Sequence, residues 1–140
     1  MAVQWNTSLA TGSDEIDTQH KELFRRVDSL LAAVDKGTDR EETSRIVQYL
    51  TDYVVLHFGN EESYMDRYAY SSASAHKAQH AQFVKNFLNL KERLATEGVN
   101  AVLADDLRQL VVDWLINHIK YSDRALGMFL KLKMQNTASA

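Results

Sequence analysis

Apolar positions recur at three- and four-residue spacing through four long stretches of this chain, a pattern that predicts four amphipathic helices. The first runs from about Thr18 to Lys36, with Leu23, Phe24, Val27, Leu30, Leu31 and Val34 on one stripe and Gly37 placed as a C-cap glycine. Thr38, Asp39, Arg40 and Glu41 read as a capping box that opens the second helix. Its stripe of Ile46, Val47, Leu50, Val54 and Met65 fades near residues 67–70. Ser71, Ser72 and Ser74 offer N-caps to a third helix, which carries His76, His80, Phe83, Phe87, Leu90 and Leu94 and closes at Gly98. Asn100 caps the fourth, whose stripe reads Leu103, Leu107, Leu110, Val111, Trp114, His118, Ser122 and Phe129. Residues 1–17 read as an irregular arm anchored by Trp5, Leu9 and Ile16, and residues 131–140 lose periodicity and read as a frayed tail. The expected fold is all-α: one domain over residues 1–140, an up-down-up-down antiparallel four-helix bundle with an N-terminal arm.

Composition agrees with long helices and short connections, since proline is absent and glycine occurs five times. Sixteen basic against nineteen acidic residues leave a net charge of −3. No basic face appears, which argues against nucleic acid as a partner. The N-terminal residues lack a basic then apolar secretory pattern, and no apolar run approaches a membrane span. A cytoplasmic monomer is the expectation. The absence of cysteine excludes disulfides, thiolate metal sites and cysteine nucleophiles together.

The polar residues on the apolar stripes change the picture. On a helix, His57 and Glu61 lie about 40° apart on one face, with Glu61 near the middle of the stripe and no lysine or arginine beside it. A carboxylate there is costly unless a positive group meets it. All five histidines of the chain lie on core stripes: His20, His57, His76, His80 and His118. Any one of them alone reads as an ordinary core histidine. The His76/His80 pair, spaced i, i+4, points two nitrogens at one place. Together, five buried imidazoles and a buried carboxylate in a core without a basic residue are most simply satisfied by metal ions. Asp123 is a seventh candidate, but five residues after His118 it stands about 140° away on a regular helix, as a solvated acid would. Only a local π-type widening would turn it inward. Seven such ligands exceed one tetrahedral zinc and suit two ions, and imidazole with carboxylate fits iron better than a soft metal.

The pattern His20, His57-x-x-x-Glu61, His76-x-x-x-His80, His118-x-x-x-x-Asp123 resembles the hemerythrin family, its single-domain bacterial members above all. Trp5, Gly12, Ile16-Asp17-x-Gln19-His20-Lys21, Phe58, Glu61-Glu62, Met65 and Trp114-x-x-x-His118-Ile119 are similar too, so the likeness extends from Trp5 to about Leu130. Two departures, Ser71 after Tyr70 where a proline is common and Ser13 after Gly12 where an aliphatic residue is common, affect loops rather than ligands. The resemblance implies a non-haem di-iron centre that binds dioxygen reversibly, for storage, delivery or sensing, and no enzymatic activity. It implies that His76, His80 and His118 hold one iron and His20 and His57 the other. Glu61 and Asp123 would bridge the pair together with an oxo or hydroxo group. Phe58, Trp114, Leu115 and Ile119 are the candidates for an apolar oxygen pocket above the iron that is one ligand short. A carrier would also need an oxygen-accepting partner protein. The alternatives are a di-iron enzyme acting on peroxide or nitric oxide, and a zinc-bound or metal-free interaction bundle.

Overall fold

A computed structural model of the protein describes residues 4–37 and 40–139. Four helices build it, and no strand occurs among the described residues. Helix α1 spans Asp14–Lys36, α2 Arg40–Arg67 and α3 Ala73–Glu97. The fourth, α4, is one continuous run over residues 101–139 in which the winding changes twice. It is α-helical over Ala101–Arg108, π-helical over Gln109–Trp114, α-helical over Leu115–His118, π-helical over Ile119–Asp123 and α-helical again over Arg124–Ser139. Each helix packs on its neighbour in sequence, and α1 closes the ring against the start of α4. Connections as short as 68–72 and 98–100 leave consecutive helices no option but to run antiparallel.

Most predicted boundaries hold, for the expected physical reasons. Gly37 ends α1 in the left-handed conformation at φ 67°, and the Asn100 side chain accepts from the Leu103 amide at 2.8 Å. The capping box at Thr38 lies partly outside the described residues. Helix α1 begins four residues earlier than its stripe suggests. Ser13 Oγ accepts from the Ile16 amide at 3.3 Å, and Asp14, Glu15 and Asp17 place negative charge on the first turn. Residues 14–17 therefore belong to α1 and not to the arm. Residues 131–139, read from sequence as a frayed tail, continue α4. Residues 131–135 are exposed, so the loss of periodicity marks the end of the core and not of the helix.

The arm lies across α4. Its short 3-10 turn, Thr7–Leu9, packs against Ile119–Asp123, and buried Leu9 joins the main core. Thr11, also buried, fastens the arm to α1, its amide and its hydroxyl each donating to Asp17 Oδ1 at 2.9 Å. The apolar interior falls into two clusters. The larger contains Phe24, Leu50, Phe58, Phe83, Leu115 and Ile119 among others, and the smaller consists of Ile16, Met65, Leu126 and Leu130. Between them, along every helix, sit the buried polar residues described below. No described helix is long and apolar enough to cross a membrane.

Two glycines behave oppositely. A Cβ on Gly59, inside α2, would meet nothing within 4 Å, so no other segment packs against this glycine. A Cβ on Gly127 would lie 2.6 Å from the Thr11 Cβ. Here α4 yields room to the arm backbone. Gly127→Ala is therefore expected to destabilise the fold by about 1–3 kcal/mol through overpacking. Gly59→Ala is expected to stabilise it by about 1 kcal/mol through helix propensity. Thermal unfolding of the two variants checks the signs; a Gly127→Ala protein as stable as the parent would mean that the arm does not sit there.

Candidate metal centre

Four helices each deliver part of one polar layer. Helix α1 brings His20, α2 His57 and Glu61, α3 His76 and His80, and α4 His118 and Asp123. None of the seven side chains is more than 5% exposed. Asp123 reaches the layer because the π turn Ile119–Asp123 gives the five-residue spacing a common face, bringing its Oδ1 to 3.0 Å from His118 Nε2. The same turn shifts the phase of everything after it. Asp123, Leu126 and Leu130 are buried, whereas Ser122 and Phe129, which a regular helix would place on the stripe, are half-buried. An earlier shift at Gln109–Trp114 likewise buries Val111 and Leu115 in preference to Leu110 and Trp114.

The seven donors form two groups that share the carboxylates. Glu61, His76, His80, His118 and Asp123 make one, and His20, His57, Glu61 and Asp123 the other; ligand atoms within each lie within 4.8 Å of one another. Glu61 Oε1 lies 3.2 Å from His80 Nε2 and 4.0 Å from His76 Nε2, while its Oε2 lies 3.6 Å from His57 Nε2 and 3.8 Å from His20 Nε2. Asp123 divides in the same way: Oδ1 is 2.9 Å from His76 Nε2, and Oδ2 is 2.9 Å from His20 Nε2. Each carboxylate thus turns one oxygen to each group.

Outside the layer, ring protons are fixed by oxygen acceptors. His57 Nδ1 donates to Gln19 Oε1 at 2.7 Å, His80 Nδ1 to Glu62 Oε2 at 3.0 Å and His118 Nδ1 to Gln79 Oε1 at 2.8 Å. A neutral imidazole with its proton on Nδ1 carries a bare lone pair on Nε2. The Nε2 atoms of His76 and His80 each lie 3.1 Å from that of His118. The bare lone pairs of His80 and His118, converging at that distance beside carboxylate oxygens, repel one another unless a cation sits among them. Burial, then the neighbouring imidazole of His20, pushes His57 down to about 3. Burial, then His118, pushes His80 down to about 2. These histidines therefore remain neutral and cannot themselves be the cations. Burial, reinforced by Asp123, holds Glu61 well above its usual range. Asp123 is held well below its own range: burial opposes its ionisation, but the imidazoles of His118, His20 and His76 against its oxygens prevail. His20 Nε2, His57 Nε2 and both Glu61 oxygens are buried with no hydrogen-bond partner among the described residues. Orphaned nitrogens and oxygens of this kind, aimed inward with no thiolate among them, fit a pair of hard or borderline cations.

The pocket candidates are placed differently from the sequence reading. Phe58 stacks on His80 with centroids 3.8 Å apart and rings 4° from parallel, and Trp114 stacks on His118 at 4.5 Å and 10°. Both aromatic faces therefore cover the group with three histidines rather than the group with two. Phe58 also touches the other side, 5.9 Å from the His57 ring. Leu115 and Ile119 flank His118 in the main core, 2% and 0% exposed. Sequence reasoning assigned no partner to Gln19, Gln79 or Glu62. Each glutamine directly precedes a ligand candidate in sequence, but the imidazole it holds belongs to another helix, a relation that spacing does not reveal.

Two outcomes test this geometry. The unfolded chain protonates His57 and His80 near their ordinary value of 6.5, and the folded metal-free protein does so only near 3 and 2. The unfolded state thus binds more protons below that value. The contribution of these two histidines is fully present above about pH 6.5 and falls on acidification, by about 1.4 kcal/mol per pH unit for each. Glu61, whose carboxyl is raised, opposes it with a contribution lost as pH rises. Denaturant titrations of chelator-treated protein at several pH values measure this, and a flat profile contradicts it. His118→Ala removes one of three nitrogens from one group, so metal analysis after iron loading is expected to find one ion or none, against two in the parent.

Comparison with known proteins places the chain. Residues 11–130 match the family model described as the hemerythrin HHE cation binding domain. A hemerythrin-like protein of Naegleria gruberi is 34% identical over 119 residues, 85% of this chain and 86% of the relative. A bacteriohemerythrin of Methylococcus capsulatus is 35% identical over 111 residues, 79% of this chain and 82% of the relative. A crystal structure of wild-type hemerythrin superposes with a TM-score of 0.84 at 32% identity, covering 94% of this chain and 99% of that one. With a matched domain over most of its length, relatives above 30% identity and the same bundle in a solved structure, the chain belongs to the hemerythrin family.

Proposed function

We propose that this protein binds dioxygen reversibly at two iron ions held by His20, His57, Glu61, His76, His80, His118 and Asp123, with an oxo or hydroxo group between them. The observation that supports this most directly is the unequal division of nitrogens about two shared carboxylates, three on one side and two on the other. A division of that kind leaves the two-nitrogen side a ligand short, and there a small molecule can enter. A pair of irons, when bound, supplies reversible two-electron exchange with dioxygen.

The chain's own residues supply the rest. Five neutral imidazoles against two carboxylates support high-valent iron less than a carboxylate-rich set does, which favours binding and release over oxygenation. Glu61 and Asp123, each with one oxygen toward either group, keep the two subsites together. Phe58, Trp114, Leu115 and Ile119 give the layer apolar surface on its three-histidine side, which helps to exclude the water and anions that promote irreversible oxidation. The family model's description, a cation binding domain, is consistent with this reading. Storage, delivery and sensing are all served by such a site.

Absorption spectroscopy through repeated cycles of anaerobic reduction and exposure to air tests the proposal. Spectra that appear with air and vanish on removing it, over several cycles, are the expected result. A form that decays with turnover of peroxide or nitric oxide would favour an enzyme on the same scaffold, and iron-loaded protein that stays unchanged in air would overturn the reading. Trp114→Ala and Leu115→Tyr are expected to alter the lifetime of the oxygenated form while leaving iron content at the parental value.

A further inference from the structure

We propose that Glu62 is a positioning residue that makes the two metal subsites electronically unequal, acting through the Nδ1 proton of His80. The argument rests on the metal centre proposed above but does not require dioxygen. Three imidazoles have an identified Nδ1 acceptor, and the acceptors differ in kind. Gln19 and Gln79 present neutral amide oxygens, and both are shared. Gln79 Oε1 also accepts from Ser122 Oγ at 2.7 Å, and Gln19 Oε1 also accepts from Asn60 Nδ2 at 3.4 Å. Glu62 presents a carboxylate, whose Oε2 meets His80 Nδ1 at 3.0 Å.

The difference matters because hydrogen bonds transmit charge through an imidazole. A carboxylate on Nδ1–H draws the proton outward and makes Nε2 a stronger donor, and an amide does so less. Nε2 of His80 faces the three-nitrogen group, 3.1 Å from His118 Nε2 and 3.2 Å from Glu61 Oε1. The subsite that already has more nitrogens therefore also receives the extra electron density, and it favours the more highly charged ion. The two-nitrogen subsite, served through His57 by a shared amide, does not. The surroundings keep the Glu62–His80 contact in place. Phe58 stacks flat on the His80 ring, and the Lys77 ammonium is engaged by Asp66 at 2.6 Å. The Glu62 side chain is 33% exposed, so it links the buried layer to the groove between α2 and α3, where open space lies above Gly59.

Anaerobic potentiometric titration of the iron-loaded protein, together with iron retention against a chelator, tests this in the parent, Glu62→Gln and Gln79→Glu. Glu62→Gln keeps the hydrogen bond and removes the charge; its potential is expected to rise, and its iron retention to weaken about 10-fold, as for other outer partners of ligating histidines. Gln79→Glu places a carboxylate behind His118 and is expected to move the potential the opposite way. A purely structural role for Glu62 would leave the potential where it is. Parental potentials in both variants at full iron content overturn the inference, as do shifts of the same sign. Should Glu62→Gln retain no iron, Gln79→Glu decides alone, and its potential must fall. A parent chain that takes up no iron overturns the metal centre itself, and this inference with it.

Discussion

The structure turns on the repulsion among like groups packed into one buried layer. Five imidazoles and two carboxylates occupy a cross-section of the bundle that the apolar clusters on either side seal from water. No described lysine or arginine reaches into the layer, and burial holds two of its histidines, His57 and His80, neutral. Folding around such a layer is unfavourable in proportion to how well it excludes solvent. The excess of inward-facing lone pairs is therefore the same property as the affinity for cations: what makes the metal-free fold costly makes the loaded one favourable.

That layer also explains irregularities elsewhere. Helix α4 departs from regular winding at Ile119–Asp123, where the departure delivers a carboxylate to the centre. The arm lies over that turn through Thr7–Leu9, is tied back to α1 through Thr11 and Asp17, and is admitted close to α4 by Gly127. A π turn is less favourable than the α-helix that could replace it. Here it is covered from outside by the arm, while His118 and Asp123 converge on the layer within.

How much of this could be read from the chain alone depended on whether the information was local. Helix positions and the histidine set follow from periodicity and capping residues, as Gly37, Asn100 and the His76/His80 spacing show. The inward turn of Asp123 was legible only as a condition, because spacing states the angle of a regular helix and not whether the helix is regular. The phase of α4 was misread at Ser122 and Phe129 for that reason. The start of α1 was placed late because residues 14–17, apart from Ile16, are polar and their helical character comes from the Ser13 cap. Gly59 and Gly127 look alike in sequence, and only the arm's path tells them apart. Gln19, Gln79 and Glu62 act across helix boundaries, where no periodicity within one helix can point to them.

Those three residues have a consequence for assembly. Gln19 on α1 holds His57 on α2, Glu62 on α2 holds His80 on α3, and Gln79 on α3 holds His118 on α4. Every hairpin of the bundle thus carries one latch between its two arms. A slip of about one turn along any pair would carry the acceptor about 5.4 Å away and unlock a single imidazole, while the apolar stripes would still face each other. Hydrophobic packing alone discriminates weakly between neighbouring alignments of two amphipathic helices; these polar latches single out one.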